Sequence, residues 1–318
     1  MYKVVSSSPT FGKYSKKPVE MLEREGCTVT ILDGSIANNE EKLAEALIDA
    51  DALIVGIEKI TKKVLERAKG LKVIAKHGAG VDNIDLMAAK DNGITIAFAP
   101  GANRHAVADL AFGLLLSLAR EIPESYSKVK EGSWPRVVGV ELYGKTFGVI
   151  GTGRIGKEAI RRARGFDMKI LALDPYQDPE LIQSGVKYVD WDTLLKESDF
   201  ITIHTDLNEQ SRNMFNEEAF KKMKKTACLV NTARGGIIDE KALYDALKEG
   251  EISGAALDVF ENEPVGSSPL LSLPNFIGTP HMAGYTVDAL EEVGMITARN
   301  ILNVLNGEKA EHEWKVPV

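Results

Sequence analysis

At 318 residues the chain is too long for one small domain and comfortable for two. A composition of 44% hydrophobic and 27% charged residues excludes the collagen-like and disordered classes. A net charge of -7 argues against a nucleic-acid partner, because phosphate backbones are held by basic surfaces.

Taken in chain order, the start "MYKVVSSSPT" lacks the basic, apolar, small-residue order of a secretory signal, so a cytoplasmic location is expected. Short β-branched runs then alternate with helix-like stretches. "KVVSSS", "TVTILD", "ALIVG", "VIAKHG" and "ITIAFAP" are separated by segments such as "PVEMLEREG" and "EEKLAEALIDA". This is the βαβ signature of a parallel sheet. Cys27 in "GCTVTIL" and Cys228 in "ACLVNT" have no metal-ligand spacing and read as reduced core thiols.

"ANRHAVADLAFGLLLSLAREI" follows, with Val107, Leu110, Ala111, Leu114 and Leu118 at helical spacing and Asn103 placed to cap it. Its apolar stretch, Leu110 to Ala119, is too short for the ~18–20 residues that span a bilayer, so no membrane partner is expected. From Thr146 the alternation restarts: "TFGVI", "KILALD", "DFITIH", "ACLVNT", "GAALDVF" and "NFIGTPH" read as strands. "KEAIRRARG" and "EKALYDALKEG" read as helices closed by Gly165 and Gly250. One more amphipathic helix follows Thr286. Two α/β units in tandem are expected.

The second unit opens on "IGTGRIG". Gly151, Gly153 and Gly156 follow a strand, precede a helix, and are answered by Asp174, 18 residues beyond Gly156 at the end of the next strand. In that context G-x-G-x-x-G is a dinucleotide fingerprint: glycines for the turn, the approach of a pyrophosphate and close helix packing, with the helix N-terminus as anion donor. Asp174 would accept hydrogen bonds from ribose hydroxyls and repel a 2′-phosphate, favouring NAD over NADP. Arg154 either braces the pyrophosphate or is solvated.

Open parallel sheets bind ligands beyond the carboxyl ends of their strands. Arg234 follows "LVNTA", an acid of "ENEP" follows "ALDVF", and His281 follows "FIGTP". An arginine fork suits a substrate carboxylate, and histidine suits proton transfer near neutrality. A carboxylate on the imidazole would orient it and favour its protonated form. Spacing alone leaves Glu261 and Glu263 both open. Together these groups suit hydride transfer at a carbon bearing oxygen beside a carboxylate. The five histidines are scattered without ligand spacing, so no metal is expected.

"GKTFGVIGTGRIG", "VNTARGGIIDEKALYDALKEGEISGAALDVFENEP" and "TPHMAGYT" resemble the D-isomer-specific 2-hydroxyacid dehydrogenases, and phosphoglycerate dehydrogenases among them. The resemblance implies two doubly wound parallel-sheet α/β domains. A Rossmann NAD-binding domain, 101–285, would be inserted in a flavodoxin-like substrate domain formed by 1–100 and 286–318. It implies Arg234, Glu263 and His281 as the catalytic trio, with Asp258 on the nicotinamide carboxamide. Ile155, His204, Thr205, Thr232 and Ala233 join the cofactor set. The substrate would meet the backbone of Gly78 and Ala79 in "KHGAGVDNID", with Asn103 and Arg234. A homodimer through the nucleotide-binding domain is also implied, "EGSWPRVVGVEL" with Trp134 reading as an intersubunit arm.

The expected substrate pair is 3-phosphoglycerate and 3-phosphohydroxypyruvate, a step of serine biosynthesis. Hydroxypyruvate, glyoxylate or another short 2-keto acid is the alternative. A departure bears on that choice: "VGIEKIT" stands where phosphoglycerate dehydrogenases often carry Arg-Ser after the third strand, with Lys59, Lys76, His77 and Arg104 as substitute cations. Asp206 stands where relatives usually place proline. Glu263 argues against formate dehydrogenases, which pair the histidine with glutamine. The chain stops soon after its last helix, so no serine-responsive C-terminal domain is expected. A reading of another class is an NAD-sensing, corepressor-like binding protein.

Overall fold

The computed structural model describes residues 1–315, which divide into two compact units: Met1–Asn103 with the segment from Tyr285 onward, and Arg104–Gly284. The first holds β1 (Tyr2–Ser6), β2 (Cys27–Ile31), β3 (Ala52–Val55), β4 (Val73–Lys76) and β5 (Thr95–Ala97). All are parallel, in the order β2-β1-β3-β4-β5, which is the flavodoxin-like order. β3 and β4 are buried along their whole length, as a sheet covered on both faces requires.

Each covering helix is set by a local signal. Asn39, Thr61 and Asp85 accept backbone N–H bonds at the starts of helices Glu40–Ala46, Lys62–Arg67 and Leu86–Asp91. These bring Leu43, Val64, Leu65 and Ala88 onto one face of the sheet. On the other face Leu22, from helix Lys17–Arg24, joins Ala298, Ile301 and Leu305 of the C-terminal helix Val287–Leu305. Thr286 Oγ1 caps that helix on Ala289 N–H, and the helix packs on Lys17–Arg24, β4 and β5.

The second unit holds β6 (Thr146–Ile150), β7 (Lys169–Leu173), β8 (Lys187–Tyr188), β9 (Phe200–Ile203), β10 (Cys228–Asn231), β11 (Gly254–Leu257) and β12 (Phe276–Gly278). They form one parallel sheet, β12-β11-β10-β9-β6-β7-β8. Numbered within the unit, this is the Rossmann order 3-2-1-4-5-6 with a seventh strand, reversing between β6 and β9. Helix Arg104–Ala119, apolar nearly all round, packs with Arg154–Arg164 on one face over Phe147, Val149 and Ala172. On the other, Phe215, Phe220 and Leu243 pack over Ile201 and Leu229.

One local expectation is corrected. Asn103 does not cap the helix that follows it, since its side-chain oxygen is buried with no hydrogen-bond partner. Cys27 and Cys228 are free and buried, in β2 and β10.

Candidate active site

The chain leaves β6 through Gly151 (φ +87°), and Gly153 is the N-cap of helix Arg154–Arg164. A Cβ on Gly151 would lie 2.5 Å from the His204 carbonyl oxygen, and one on Gly156 2.0 Å from the Gly151 carbonyl oxygen. Strand, turn and helix therefore pack only without those side chains. A Cβ on Gly153 would meet nothing within 4 Å, so the backbone there stays open to a ligand. Arg154 is exposed and Ile155 half-buried in the helix's first turn, where amide donors and dipole favour an anion. Asp174, just past β7, accepts Thr152 N–H at 2.6 Å through Oδ2 and Tyr176 N–H at 2.8 Å through Oδ1. Its carboxylate is thereby tied beside the glycine turn.

His204 and Thr205 follow β9, and Thr232 and Ala233 follow β10. Burial lowers the His204 pKa to about 3, so the ring is neutral. Its Nε2 lies 3.1 Å from Thr202 Oγ1, while Nδ1 is buried without a partner. Thr232 Oγ1 is likewise buried and unpartnered. Such orphaned atoms cost roughly 1–3 kcal/mol each unless a ligand meets them. Orphans at adjacent strand ends, beside an open Gly153 backbone, fit a dinucleotide.

Arg234, Glu263 and His281 follow β10, β11 and β12, three neighbours at one sheet edge. Arg234 is half-buried, its NH1 donating to the Ala233 carbonyl at 2.7 Å and its own carbonyl accepting from Asn231 Nδ2 at 2.8 Å. His281 Nδ1 lies 2.7 Å from Glu263 Oε2, and Glu263 Oε1 accepts the Phe260 N–H at 3.0 Å. Glu261 is directed elsewhere, 3.7 Å from Arg212. The choice that spacing left open is thus made by contact.

Asp258, expected at the nicotinamide carboxamide, is 0% exposed. Its carboxylate is engaged by Thr279, Met282 and Ala283, around His281. Neither these contacts nor the Phe260 amide that holds Glu263 was legible in sequence. Both are backbone-mediated, and residue identity does not report them.

In the first unit, Gly78 and Ala79 follow β4 and lie half-buried and exposed; Gly78 O accepts Ala99 N–H at 2.9 Å. Asn103 Oδ1 is orphaned, as above. The ends of β1, β3 and β4 converge here on a polar cluster. Glu58 is 6% exposed, and its Oε2 accepts Ser7 Oγ–H and Gly56 N–H, both at 2.9 Å. Lys76, also buried, donates to the Gly56 carbonyl and, at 2.7 Å, to Asn83 Oδ1. His77 Nδ1 lies 3.4 Å from Ser8 Oγ and 3.3 Å from Thr10 Oγ1, and burial lowers its pKa to about 4. Of the substitute cations, His77 is therefore neutral near pH 7. Lys59 lies exposed in the loop after β3. The buried carboxylate of Glu58 was not singled out from sequence, although "GIEKIT" contains it.

Residues 112–283 match the model of the D-isomer specific 2-hydroxyacid dehydrogenase, NAD binding domain. The chain is 49% identical over 283 residues to a D-3-phosphoglycerate dehydrogenase of Methanocaldococcus jannaschii, covering 87% of this chain and 54% of that one. It is 44% identical over 272 residues to a hydroxypyruvate reductase of Thermotoga maritima, covering 84% and 88%. The chain thus spans little more than half the length of the archaeal phosphoglycerate dehydrogenases it matches. The solved apo-structure of D-lactate dehydrogenase from Escherichia coli superposes with a TM-score of 0.89 at 34% identity, covering 99% of this chain and 100% of that one. Glycine turn, strand order and sequence agree: the chain belongs to the D-isomer-specific 2-hydroxyacid dehydrogenase family, with NAD as the family's nucleotide.

Proposed function

We propose that the chain is an NAD-dependent oxidoreductase interconverting a D-2-hydroxy acid and its 2-keto acid. The His281–Glu263 pair, set beside Arg234 at one sheet edge, carries this reading. With Nδ1–H donated to Glu263, His281 Nε2 is the nitrogen that exchanges a proton with substrate. In reduction it protonates the oxygen of the former keto group, and in oxidation it takes the hydroxyl proton. The Phe260 amide and the imidazole hold one Glu263 oxygen each, fixing the base by two contacts. Arg234 orients the substrate carboxylate and polarises the neighbouring carbonyl. Gly151, Gly153, Arg154, Ile155, Gly156, Asp174, His204, Thr205, Thr232, Ala233 and Asp258 would hold NAD, which would supply the hydride chemistry when bound. Gly78, Ala79 and Asn103 are our candidates on the first unit for contact with substrate.

Of the two substrate classes, we favour a short unphosphorylated 2-keto acid such as hydroxypyruvate or glyoxylate. The Glu58 carboxylate supports this choice. It sets a buried acidic group among the polar side chains at these strand ends, where His77 is neutral, and so weakens this cluster as a seat for a phosphate dianion. The 44% identity to a hydroxypyruvate reductase and 42% to a glyoxylate reductase are consistent with this choice.

The test compares kcat/KM for hydroxypyruvate, glyoxylate and 3-phosphohydroxypyruvate in NADH oxidation. One charge-assisted contact, roughly 1.5–3 kcal/mol, is about 10- to 100-fold in specificity. A preference of that size for the phosphorylated acid overturns the substrate choice. NADH binding without turnover of any 2-keto acid would favour a corepressor-like role instead.

We also propose a homodimer formed through the second unit. Trp134 is 80% exposed, and Ile122, Tyr126, Val129, Val138 and Tyr143 are exposed apolar neighbours in sequence. Such a run suits burial by a second copy.

A further inference from the structure

We propose that Tyr188 is a positioning residue for the nucleotide site, holding the carboxylate of Asp174 in register with the glycine turn; the inference rests on the reading of Asp174 as the ribose ligand. Tyr188 ends β8, the edge strand of the second sheet, and is paired with Ala172 of β7, two residues before Asp174. The Val189 N–H, donating to the Ala172 carbonyl at 3.0 Å, extends that pairing. From this fixed base the phenol reaches two segments at once. Its oxygen lies 2.9 Å from Thr152 Oγ1, inside the glycine motif, and accepts the Asp178 N–H at 3.1 Å.

These contacts close a ring. Asp174 accepts Thr152 N–H through Oδ2 and Tyr176 N–H through Oδ1, so its carboxylate sits where residues 152 and 176 set it. Tyr188 ties Thr152 to Asp178, two residues beyond Tyr176, and thereby fixes the separation of the carboxylate's two anchors. Thr152 and Asp178 are both buried, so their polar groups depend on partners within the protein.

A hydroxyl is required at this point. A phenol oxygen carries one proton and acceptor lone pairs, enough to take the Asp178 N–H and still meet the Thr152 hydroxyl in either sense. Phenylalanine keeps the ring that packs against the buried cluster around Ala172 and Leu181, but supplies neither contact. The loop stays held by other means. Asp178 Oδ1 caps helix Pro179–Gln183 on Glu180 N–H at 2.8 Å, and its Oδ2 pairs with Lys157 of helix Arg154–Arg164. Loss of the hydroxyl therefore loosens the ring without unfolding the loop.

Position separates this role from catalysis. The catalytic candidates follow β10, β11 and β12, which lie on the opposite side of β6 from β7 and β8. A residue acting through Asp174 changes nucleotide affinity and the choice between NADH and NADPH, and leaves turnover at saturating NADH alone.

The experiment measures NADH and NADPH Kd by fluorescence, kcat at saturating NADH, and Tm for Y188F, T152V, T152S, D174S and the double variant Y188F/T152V. Y188F is expected to raise the NADH Kd roughly 5- to 30-fold, the scale of a buried hydrogen bond left unmade, and to narrow the preference for NADH over NADPH by about 3-fold or more. Its kcat should stay within about 2-fold of wild type. T152V should weaken NADH by a similar factor, and T152S, which keeps the hydroxyl, should bind as wild type. On the Y188F background, T152V should add less than about 2-fold, because the partner of its hydroxyl is already gone.

Unchanged NADH Kd and unchanged preference in D174S would overturn the ribose reading of Asp174 itself. With D174S altered, a wild-type NADH Kd in Y188F would overturn only the role of Tyr188. So would equal weakening of NADH and NADPH, which a merely structural defect produces. Fully additive loss in the double variant would also refute it, by putting the Thr152 hydroxyl on the ligand directly. Should Y188F fail to fold, the T152V and T152S pair decides: equal NADH Kd in both refutes the proposal.

Discussion

Replacing Gly235 with alanine tests whether the arrangement of Arg234 and Glu263 depends on backbone contact between two strand-end loops. A Cβ there would lie 1.9 Å from the Phe260 carbonyl carbon, 2.2 Å from its oxygen and 2.4 Å from Glu261 N. Non-bonded carbons rest at roughly 3.5–4.0 Å, so the loops must part by about 1.5 Å or more. Both obstacles are backbone and cannot rotate aside. Gly235 adjoins Arg234, and Phe260 supplies the amide that holds Glu263. The displacement therefore falls on both catalytic candidates at once. At about 100-fold for a 1 Å misplacement, G235A should lose at least roughly 100-fold in kcat/KM.

Gly236→Ala is the internal control. Its Cβ would meet Leu207 Cδ2 at 3.2 Å and Arg212 NH1 at 3.3 Å, both ends of flexible side chains that can yield. NADH oxidation with the best 2-keto acid, alongside Tm and NADH affinity, reads the effect. G235A that remains folded with wild-type kcat/KM, or G236A equally impaired, would refute the argument.

His281→Ala should lower turnover by about 10²–10⁴ while NADH still binds; near-wild-type turnover would remove histidine from the mechanism. Asp174→Ser removes the charge that opposes a 2′-phosphate, so the NADPH-to-NADH ratio of kcat/KM should rise by roughly 10-fold or more. An unchanged ratio would mean that cofactor choice is made elsewhere. Acid stability provides a further check. His77 and His204 have pKa values lowered to about 4 and about 3, so the unfolded chain binds more protons once pH drops below about 6.5. Stability should be full above pH 6.5 and fall progressively as pH drops toward 4 and 3. The variant carrying H77Q and H204Q should show a shallower decline in Tm between pH 6.5 and 4.5, and an identical decline would contradict the assignment.

Much of this protein was legible in local sequence. Strand runs such as "ALIVG" and "TFGVI", helix stops such as Gly250, and the turn at Gly151, Gly153 and Gly156 are written in side-chain pattern and backbone permissiveness, which act over a few residues. The strand-end placement of Arg234, of an acid of "ENEP" and of His281 followed from the same local reading, because each lies within a few residues of a strand's end.

What acts across long separations was decided by tertiary structure. Glu263 rather than Glu261 meets His281, 18 residues away, because β11 and β12 are neighbours and the Phe260 amide turns one side chain inward. The burial of Asp258 beneath the histidine loop was equally invisible in sequence, as was that of Glu58 between the ends of β1, β3 and β4. Asn103 carries the general point: its residue type and place fit a helix cap, yet its oxygen is buried without a partner. Local propensity determines which elements form; the partners of a buried polar group depend on the strands that the parallel sheet brings alongside it.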